Sequence, residues 1–455
     1  MRTHTRLLTA VSVALTAACA RNVPTPGEEI PAPASSEALN RINHIVVIYL
    51  ENRSFDNLYG EFPGADGSNG ARLPEFMQVD SSGRPYVTLP QTADSKLPQT
   101  IPNGPFPIES FIPNNLPTRD LVHRFYQEQQ QIDGGKMDRY ASISDAKGLT
   151  MGFYHTSALP LAAIAKQYTL ADHFFHGAFG GSFLNHIYLI SAAIPRFDKA
   201  PAAMRAQVDA YGRMTVDGAV TPDGYVVNTA FSVNTPIPSY SQAATRVPNQ
   251  TMPTIGDRLS GKSVSWAWFS GGWNDAIAGH PDSLFQFHHQ PFIYFANYAA
   301  GTPGRAAHLK DETDFIAAAR AGTLPAVSFV KPVGENNEHP GYTDLISGER
   351  HAVELIDAVR NGPNWKDAVI IVTYDENGGA WDHVAPPAGD KWGPGTRVPT
   401  IIISPYARRG FVDRTTYETM SILALIEHRF DLSPLGSRDA KANDLSGALD
   451  SVPRP

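Results

Sequence analysis

The sequence predicts an α/β fold in which a mostly parallel central sheet carries helices on both faces. Three observations predict it. Five short runs are continuously apolar and rich in β-branched or aromatic residues. Amphipathic helical patterns lie between them. The chain, 455 residues and 42% hydrophobic, is long enough to bury one large core.

The first run, His44 to Asn52 (HIVVIYLEN), has the unbroken apolar character of a strand buried on both faces. The same character returns in SVSWAWF (263–269), AVSFVKP (326–332), AVIIVTYDE (368–376) and TIIISPY (400–406). HAVELIDAVR (351–360) and SILALIEHRF (421–430) read as amphipathic helices between or after strands, and this alternation is the mark of a parallel sheet. Glycine and proline number 37 each, so long ordered loops join the elements. Two stretches, 61–118 and 200–250, read as loop insertions of the kind that wall an active site.

The N-terminus places Arg2 and Arg6 before an apolar run from Leu7 to about Ala18, the shape of a secretory signal over residues 1–20. No arginine pair occurs there, which favours the general export route. Cleavage after Ala18-Cys19-Ala20 gives a periplasmic or secreted protein, and lipidation of Cys19 is the alternative. Residues 21–40 read as a flexible Pro/Ala/Ser-rich leader, 41–435 as the main domain and 436–455 as a C-terminal tail. Cys19 is the only cysteine, so the main domain has no disulfide. Net charge is −8, and removing residues 1–20 takes away two arginines and no acid, leaving −10. That balance argues against a nucleic-acid partner, and no later segment has the roughly 18 apolar residues of a membrane span.

Open α/β sheets bind ligands beyond the carboxyl ends of their strands. The first strand ends in Glu51-Asn52-Arg53-Ser54-Phe55-Asp56, and AVIIVTY ends in Asp375-Glu376-Asn377-Gly378-Gly379, followed by Asp382-His383. AVSFV leads into Lys331 and then Glu335 to His339. Oxygen-rich Glu51, Asn52, Asp375 and Glu376 suit one hard divalent cation such as Mg²⁺, Ca²⁺ or Mn²⁺, whereas the plainer reading makes them caps of following helices. Gly180-Gly181-Ser182 precedes an apolar helical run and puts Ser182 at a helix N-terminus, either as a nucleophile facing an anion or as a simple cap. Acid–base candidates are His123, His155, His288, His289, His339, His351 and His383.

Gly256 to Ser263 (GDRLSGKS) matches a phosphate-loop pattern, but that loop needs a strand before it and a helix after it, and here the order is reversed. No G-x-S-x-G elbow surrounds Ser182.

ENRSFDNLYG (51–60), AFGGSFLNH (178–186), FHHQPF (287–292), EHPGY (338–342) and YDENGGAWDHV (374–384) together resemble the bacterial family of acid phosphatases and phospholipases C, over roughly residues 41–430. The resemblance implies an alkaline-phosphatase-like core and a catalytic domain over 41–435. It implies a single metal surrounded by Glu51, Asn52, Ser182, Asp375 and Glu376. His123, His288 and His339 would form the phosphate-binding and leaving-group side, although the FHHQPF motif offers His289 as well as His288. AFGGSFLNH is similar to the acid phosphatase branch, and the chain stops soon after the helix at 421–430. The expected function is therefore an exported, metal-dependent acid phosphatase that cleaves small phosphomonoesters through a phosphoserine. The enzyme alternative is a phospholipase C acting on a phospholipid, with SWAWFSGGW (265–273) as a choline cradle. A periplasmic anion-binding protein is the non-enzyme alternative, and paired acids beside a serine argue against it.

Overall fold

The computed structural model describes residues 36–91 and 94–453. The export signal, Cys19 and residues 21–35 of the leader lie outside the described residues. Ser36–Asn40, expected to be flexible leader, is a short helix with Ala38 fully buried. The tail is packed too, with Leu445, Ala448 and Leu449 buried.

Eight strands form the main sheet: β1 (His44–Leu50), β2 (Thr169–Ala171), β3 (Trp266–Ser270), β4 (Leu309–Asp311), β5 (Val327–Lys331), β6 (Ala368–Tyr374), β7 (Thr400–Ile403) and β8 (Phe411–Asp413). Their order is β8-β2-β7-β6-β1-β5-β3-β4. β1 lies centrally and parallel to both neighbours, with Ile48 paired to Val330 and Val372. All strands run one way except β7, which is antiparallel to β6 and β2. The segment between β6 and β7 contains no helix, and a connection without a crossover element returns its strand antiparallel. The sequence reads five of these strands; β2, β4 and β8 have three residues each and are too short to show a period. Observed strand bounds are tighter than the apolar runs. Ser263, for example, turns with φ 57° before β3 begins at Trp266.

The helices that matter here are α1 (Phe125–Ile132), α2 (Ser182–Ser191), α3 (Ile255–Gly261), α4 (Glu312–Ala321), α5 (Leu345–Arg360) and α6 (Thr419–Phe430). α5 starts six residues before the apolar pattern predicts, because Asp344 caps it by accepting from the Ser347 N–H at 2.9 Å. Trp268 meets His186 of α2, while its neighbour Phe269 meets Phe315 of α4. Successive strand residues point to opposite faces, so α2 and α4 cover opposite sides of the sheet. α6 packs with α2, and α5 with α4. This sandwich buries β1 and β6 on both faces and leaves their carboxyl ends as the place where polar groups gather.

Candidate active site

Beyond the ends of β1, β5 and β6 lies a cavity of about 1000 Å³. Glu51, Ser182, His123, His288, His289 and His339 line it. Residues from both loop-rich stretches complete its walls, among them Asp94, Phe231 and Tyr240.

Ser182 is the first residue of α2, and Gly181 is the cap position, with no side-chain cap bond. The hydroxyl is therefore not used as a cap; it donates to Glu51 Oε2 at 2.9 Å. Asn52 Oδ1 lies 3.4 Å from the same hydroxyl. Glu51 is fully buried, and its Oε1 meets the Lys331 ammonium and His289 Nε2, the latter at 2.8 Å. Burial penalises the charge, but Lys331 and then His289 hold the carboxyl well below its ordinary range.

Asn52 takes a left-handed φ of 61° that turns the chain off β1 and into the site. Its N–H donates to Asp375 Oδ1 at 3.2 Å, and its side-chain amide reaches His339 Nε2 at 3.0 Å and His123 Nε2 at 3.4 Å. Gly378 stands over this turn at φ 62°, and a Cβ there would lie 2.4 Å from the Asn52 carbonyl oxygen. The two acid-bearing strand ends thus pack backbone against backbone.

Both histidines donate from Nδ1 to a backbone carbonyl, His123 to Leu121 and His339 to Pro340, at 2.5 and 2.6 Å. Those bonds fix the tautomer and leave each Nε2 lone pair facing Asn52. His339 also stacks on Tyr342 and is pushed by burial down to about 4. His288 lines the cavity, and burial, with His289 next, holds it well below its usual value. His289 stacks flat on buried His186.

Asp375 Oδ2 and Glu376 Oε1 are buried and accept no hydrogen bond among the described residues. Burial, with Glu51 next, pushes Asp375 up to about 7, and burial with Asp375 pushes Glu376 well above the carboxylate range. Were all three buried carboxyls ionised, Lys331 would offset only one and two negative charges would remain, which is why Asp375 and Glu376 are pushed up. Orphaned carboxylate oxygens and a deficit of two positive charges fit a divalent cation with oxygen ligands. Glu51, Asn52, Ser182, Asp375 and Glu376 are the residues that could hold it. Around the same cavity the ligand atoms of Glu51, His186 and His289 lie close enough together to share an ion, as do those of Asp120, His123 and His339, and sets rich in imidazole suit a borderline ion.

All of the named site residues converge here: Ser182, His123, His288, His339, Glu51, Asn52, Asp375 and Glu376. His155, His351 and His383 are held elsewhere, by Glu61, Glu312 and Asp56. The SWAWFSGGW (265–273) cradle is not at the site, since Trp266, Trp268, Phe269 and Trp273 are all buried and none lines the cavity. The GDRLSGKS segment is helix α3 followed by strand β3, so it is not a phosphate loop. Sequence reasoning gave no role to Lys331, although a lysine closing an apolar buried strand is itself the signal of a buried ion pair.

Buried acids and a serine at a helix N-terminus, set at the carboxyl edge of a parallel sheet, define an enzyme that handles an anionic group. The Phosphoesterase family model matches residues 42–433, and the chain belongs to that family. It is similar to Phospholipase C B of Mycobacterium tuberculosis, with 27% identity over 92% of this chain and 79% of that one. Non-specific phospholipase C6 of Arabidopsis thaliana is 24% identical over 93% of this chain and 75% of its own. A solved alkaline phosphatase superfamily protein from Vibrio parahaemolyticus aligns over 64% of this chain and 65% of that one, at 12% identity and a TM-score of 0.33. The protein is a hydrolase acting on phosphate esters, and the anion-binding alternative is not retained. Among the described residues no helix is long and apolar enough to cross a membrane.

Proposed function

We propose that the chain cleaves its ester by two-step phosphoryl transfer through Ser182. The observation that supports this most is the Ser182 hydroxyl, freed from capping, open to the cavity and bonded to buried Glu51 at 2.9 Å. Ser182 Oγ attacks phosphorus in line with the leaving oxygen while Glu51 Oε2 holds the hydroxyl proton. The ester P–O bond breaks as the serine bond forms, and His123 or His339, once protonated at Nε2, donates to the leaving oxygen. Water then attacks phosphorus and the Ser182 Oγ–P bond breaks; the proton held by Glu51 returns to Oγ, and the water's proton passes to the histidine that gave one up. A bound divalent ion would add charge stabilisation on the phosphoryl oxygens, held by Glu51, Asn52, Asp375 and Glu376 with Ser182. Because His339 is held at about 4, its proton donation favours acidic conditions.

Within this chemistry we place a phosphodiester of the phospholipase C type first. The cavity far exceeds a phosphate group in size, its walls include Phe231, Tyr240 and Tyr342, and relatives over most of the chain carry the name phospholipase C. The acid phosphatase expected from the sequence becomes the second reading, favoured by the histidines that crowd the phosphate side. A comparison of kcat/KM on an aryl phosphate, an aryl phosphocholine and phosphatidylcholine vesicles decides between them. A tenfold preference corresponds to about 1.4 kcal/mol of differential transition-state binding. If the aryl phosphate wins by that margin, the second reading stands. Export through the signal read in residues 1–20 belongs to the same proposal. N-terminal sequencing of protein recovered outside the cytoplasm checks it, with a start near residue 21 expected.

A further inference from the structure

Glu128 lies on α1, five residues beyond His123, and is fully buried. One carboxylate there accepts from four donors. His176 Nε2 reaches Oε1 at 2.8 Å, and the Thr396 N–H and hydroxyl reach the same oxygen at 2.9 Å each. The Gly180 N–H donates to Oε2 at 2.5 Å. Burial opposes the charge, but His176 and these N–H groups hold Glu128 below its ordinary range.

The bond to Gly180 joins the two segments that carry the reaction. Gly180, at φ 89°, and Gly181 precede Ser182, and they pack on the backbone that bears His123. A Cβ on Gly180 would lie 2.5 Å from the Phe125 nitrogen, and one on Gly181 would lie 2.8 Å from the His123 carbonyl oxygen. Asn185 fixes the same turn from within α2, its amide donating to Gly180 and Gly181 carbonyls at 3.1 and 3.3 Å. Gly395 leaves room on the other side, since its Cβ would lie 2.2 Å from the His176 ring. Glu128 is therefore the cross-link between the turn that aims Ser182 and the segment before α1 that aims His123.

We propose that Glu128, with His176, is a positioning residue that sets His123 relative to Ser182. This rests on the reading above, in which Ser182 attacks and a histidine protonates the leaving oxygen. As the Ser182 Oγ–P bond forms and the ester P–O bond breaks, the proton moves from His123 Nε2 to the departing oxygen. A misplaced His123 slows the transfer most where the leaving oxygen is a strong base.

The test uses the ester class, aryl phosphocholine or aryl phosphate, that the substrate comparison above favours, and compares its phenyl ester, whose phenoxide is a poor leaving group, with its 2,4-dinitrophenyl ester, whose phenoxide departs without a proton. Glu128→Gln puts an NH₂ against donors while keeping the side chain's shape. Its kcat should fall about tenfold or more on the phenyl ester and less than about threefold on the dinitrophenyl ester, with KM little changed. Equal loss on both esters, or loss confined to KM, overturns the proposal. His123→Ala is the reference. Uniform loss there removes His123 as the donor in favour of His339 and overturns the proposal with it, whereas selective loss there with uniform loss in Glu128→Gln overturns the proposal alone. Should Glu128→Gln fail to fold, His176→Leu and His176→Gln decide. The leucine variant, lacking the donor, should show the same selectivity at smaller size, and the glutamine variant, keeping an N–H for Glu128, should restore it. A leucine variant without that selectivity overturns the proposal.

Discussion

Two clusters of buried acids stand behind strand ends in this protein, and they are built in opposite ways. At the site, Asp375 Oδ2 and Glu376 Oε1 lack hydrogen-bond partners, and one ammonium faces three carboxyls. Nearby, Asp56 and Asp382 are fully engaged. Asp56 Oδ2 takes the His383 ring at 2.6 Å and its N–H at 2.8 Å, and Asp56 Oδ1 takes the Ser68 N–H at 2.9 Å. Asp382 pairs with the Arg397 guanidinium at 3.1 Å and accepts from Asp56 N at 3.0 Å. Both clusters come from segments that look alike in sequence, Glu51 to Asp56 and Asp375 to His383. The difference lies in whether the protein itself supplies the counter-charge. A network that neutralises itself serves the fold, and one that leaves charge uncompensated waits for a ligand.

Substituting Ser182 should give the largest effect. Ser182→Ala is expected to lower kcat by about a thousandfold or more, with thermal midpoint unchanged and metal retained, because the carboxylates of Glu51, Asp375 and Glu376 that would carry the set's charge all remain. Stopped assays with a sensitive phosphate readout measure it. Retention of more than about a tenth of wild-type kcat would show that the hydroxyl is not the nucleophile.

Next come the carboxylates. Glu51→Ala and Asp375→Ala should each lose both metal and activity, because each would take away a carboxylate whose charge and oxygens attract the cation. Elemental analysis of the purified variants is the check, and full metal occupancy in either would take that residue out of the ligand set. The same experiment on Asp382→Asn should leave metal content and kcat intact, which sharpens the contrast between the two clusters.

Asp382→Asn acts instead on stability. Arg397 is buried, and removing a partner from such a pair costs about 3–5 kcal/mol. Denaturant unfolding should show that loss while kcat per folded molecule stays near wild type. A pH dependence accompanies it. Burial lowers His383, yet Asp56 outweighs it and raises the imidazole to about 9 from its ordinary 6.5. The folded state therefore binds this proton more tightly than the unfolded one. Its stabilisation is complete below about 6.5 and declines as pH rises through about 9. His383→Gln should flatten that decline, and an unchanged profile would assign it to other groups.

The contrast also explains what could be read beforehand. The long strands β1 and β6 were legible because both of their faces are buried, which writes a continuous apolar run. The three-residue strands β2, β4 and β8 pair at the sheet margins and write no pattern. Asp375 and Glu376 were legible as acids closing a buried strand, and so was Ser182 after its two glycines. Which histidines faced the cavity was legible only through the family resemblance, because His339 and His383 both sit among glycines and acids. Only the tertiary partners, Asn52 for one and Asp56 for the other, separate them. Glu128 was invisible for the same reason: on its helix it is one polar residue among FYQEQQQI, and its role comes from Gly180 and Thr396, far away in the chain.

The smallest expected effect tests the same lesson on a third charged segment. GDRLSGKS carries the residues of a phosphate loop, and by composition alone Lys262 would be the group that grips a phosphate. A phosphate loop works because a strand delivers the chain to a turn whose N–H groups point at the anion, with a helix N-terminus behind them. Here α3 comes first, Lys262 follows its last residue, and the chain turns at Ser263 into β3. The end presented to Lys262 is a helix C-terminus, whose carbonyls repel anions. The ammonium is half exposed and pairs with Asp431, itself almost wholly exposed, at 3.0 Å. Solvent screens such a pair, so its loss should be too small to resolve. Lys262→Ala should therefore match wild type in kcat, KM, metal content and thermal midpoint. Isothermal titration with ATP should detect no binding in either protein. ATP binding by wild type that disappears in the variant would show that spacing had outweighed topology at this segment.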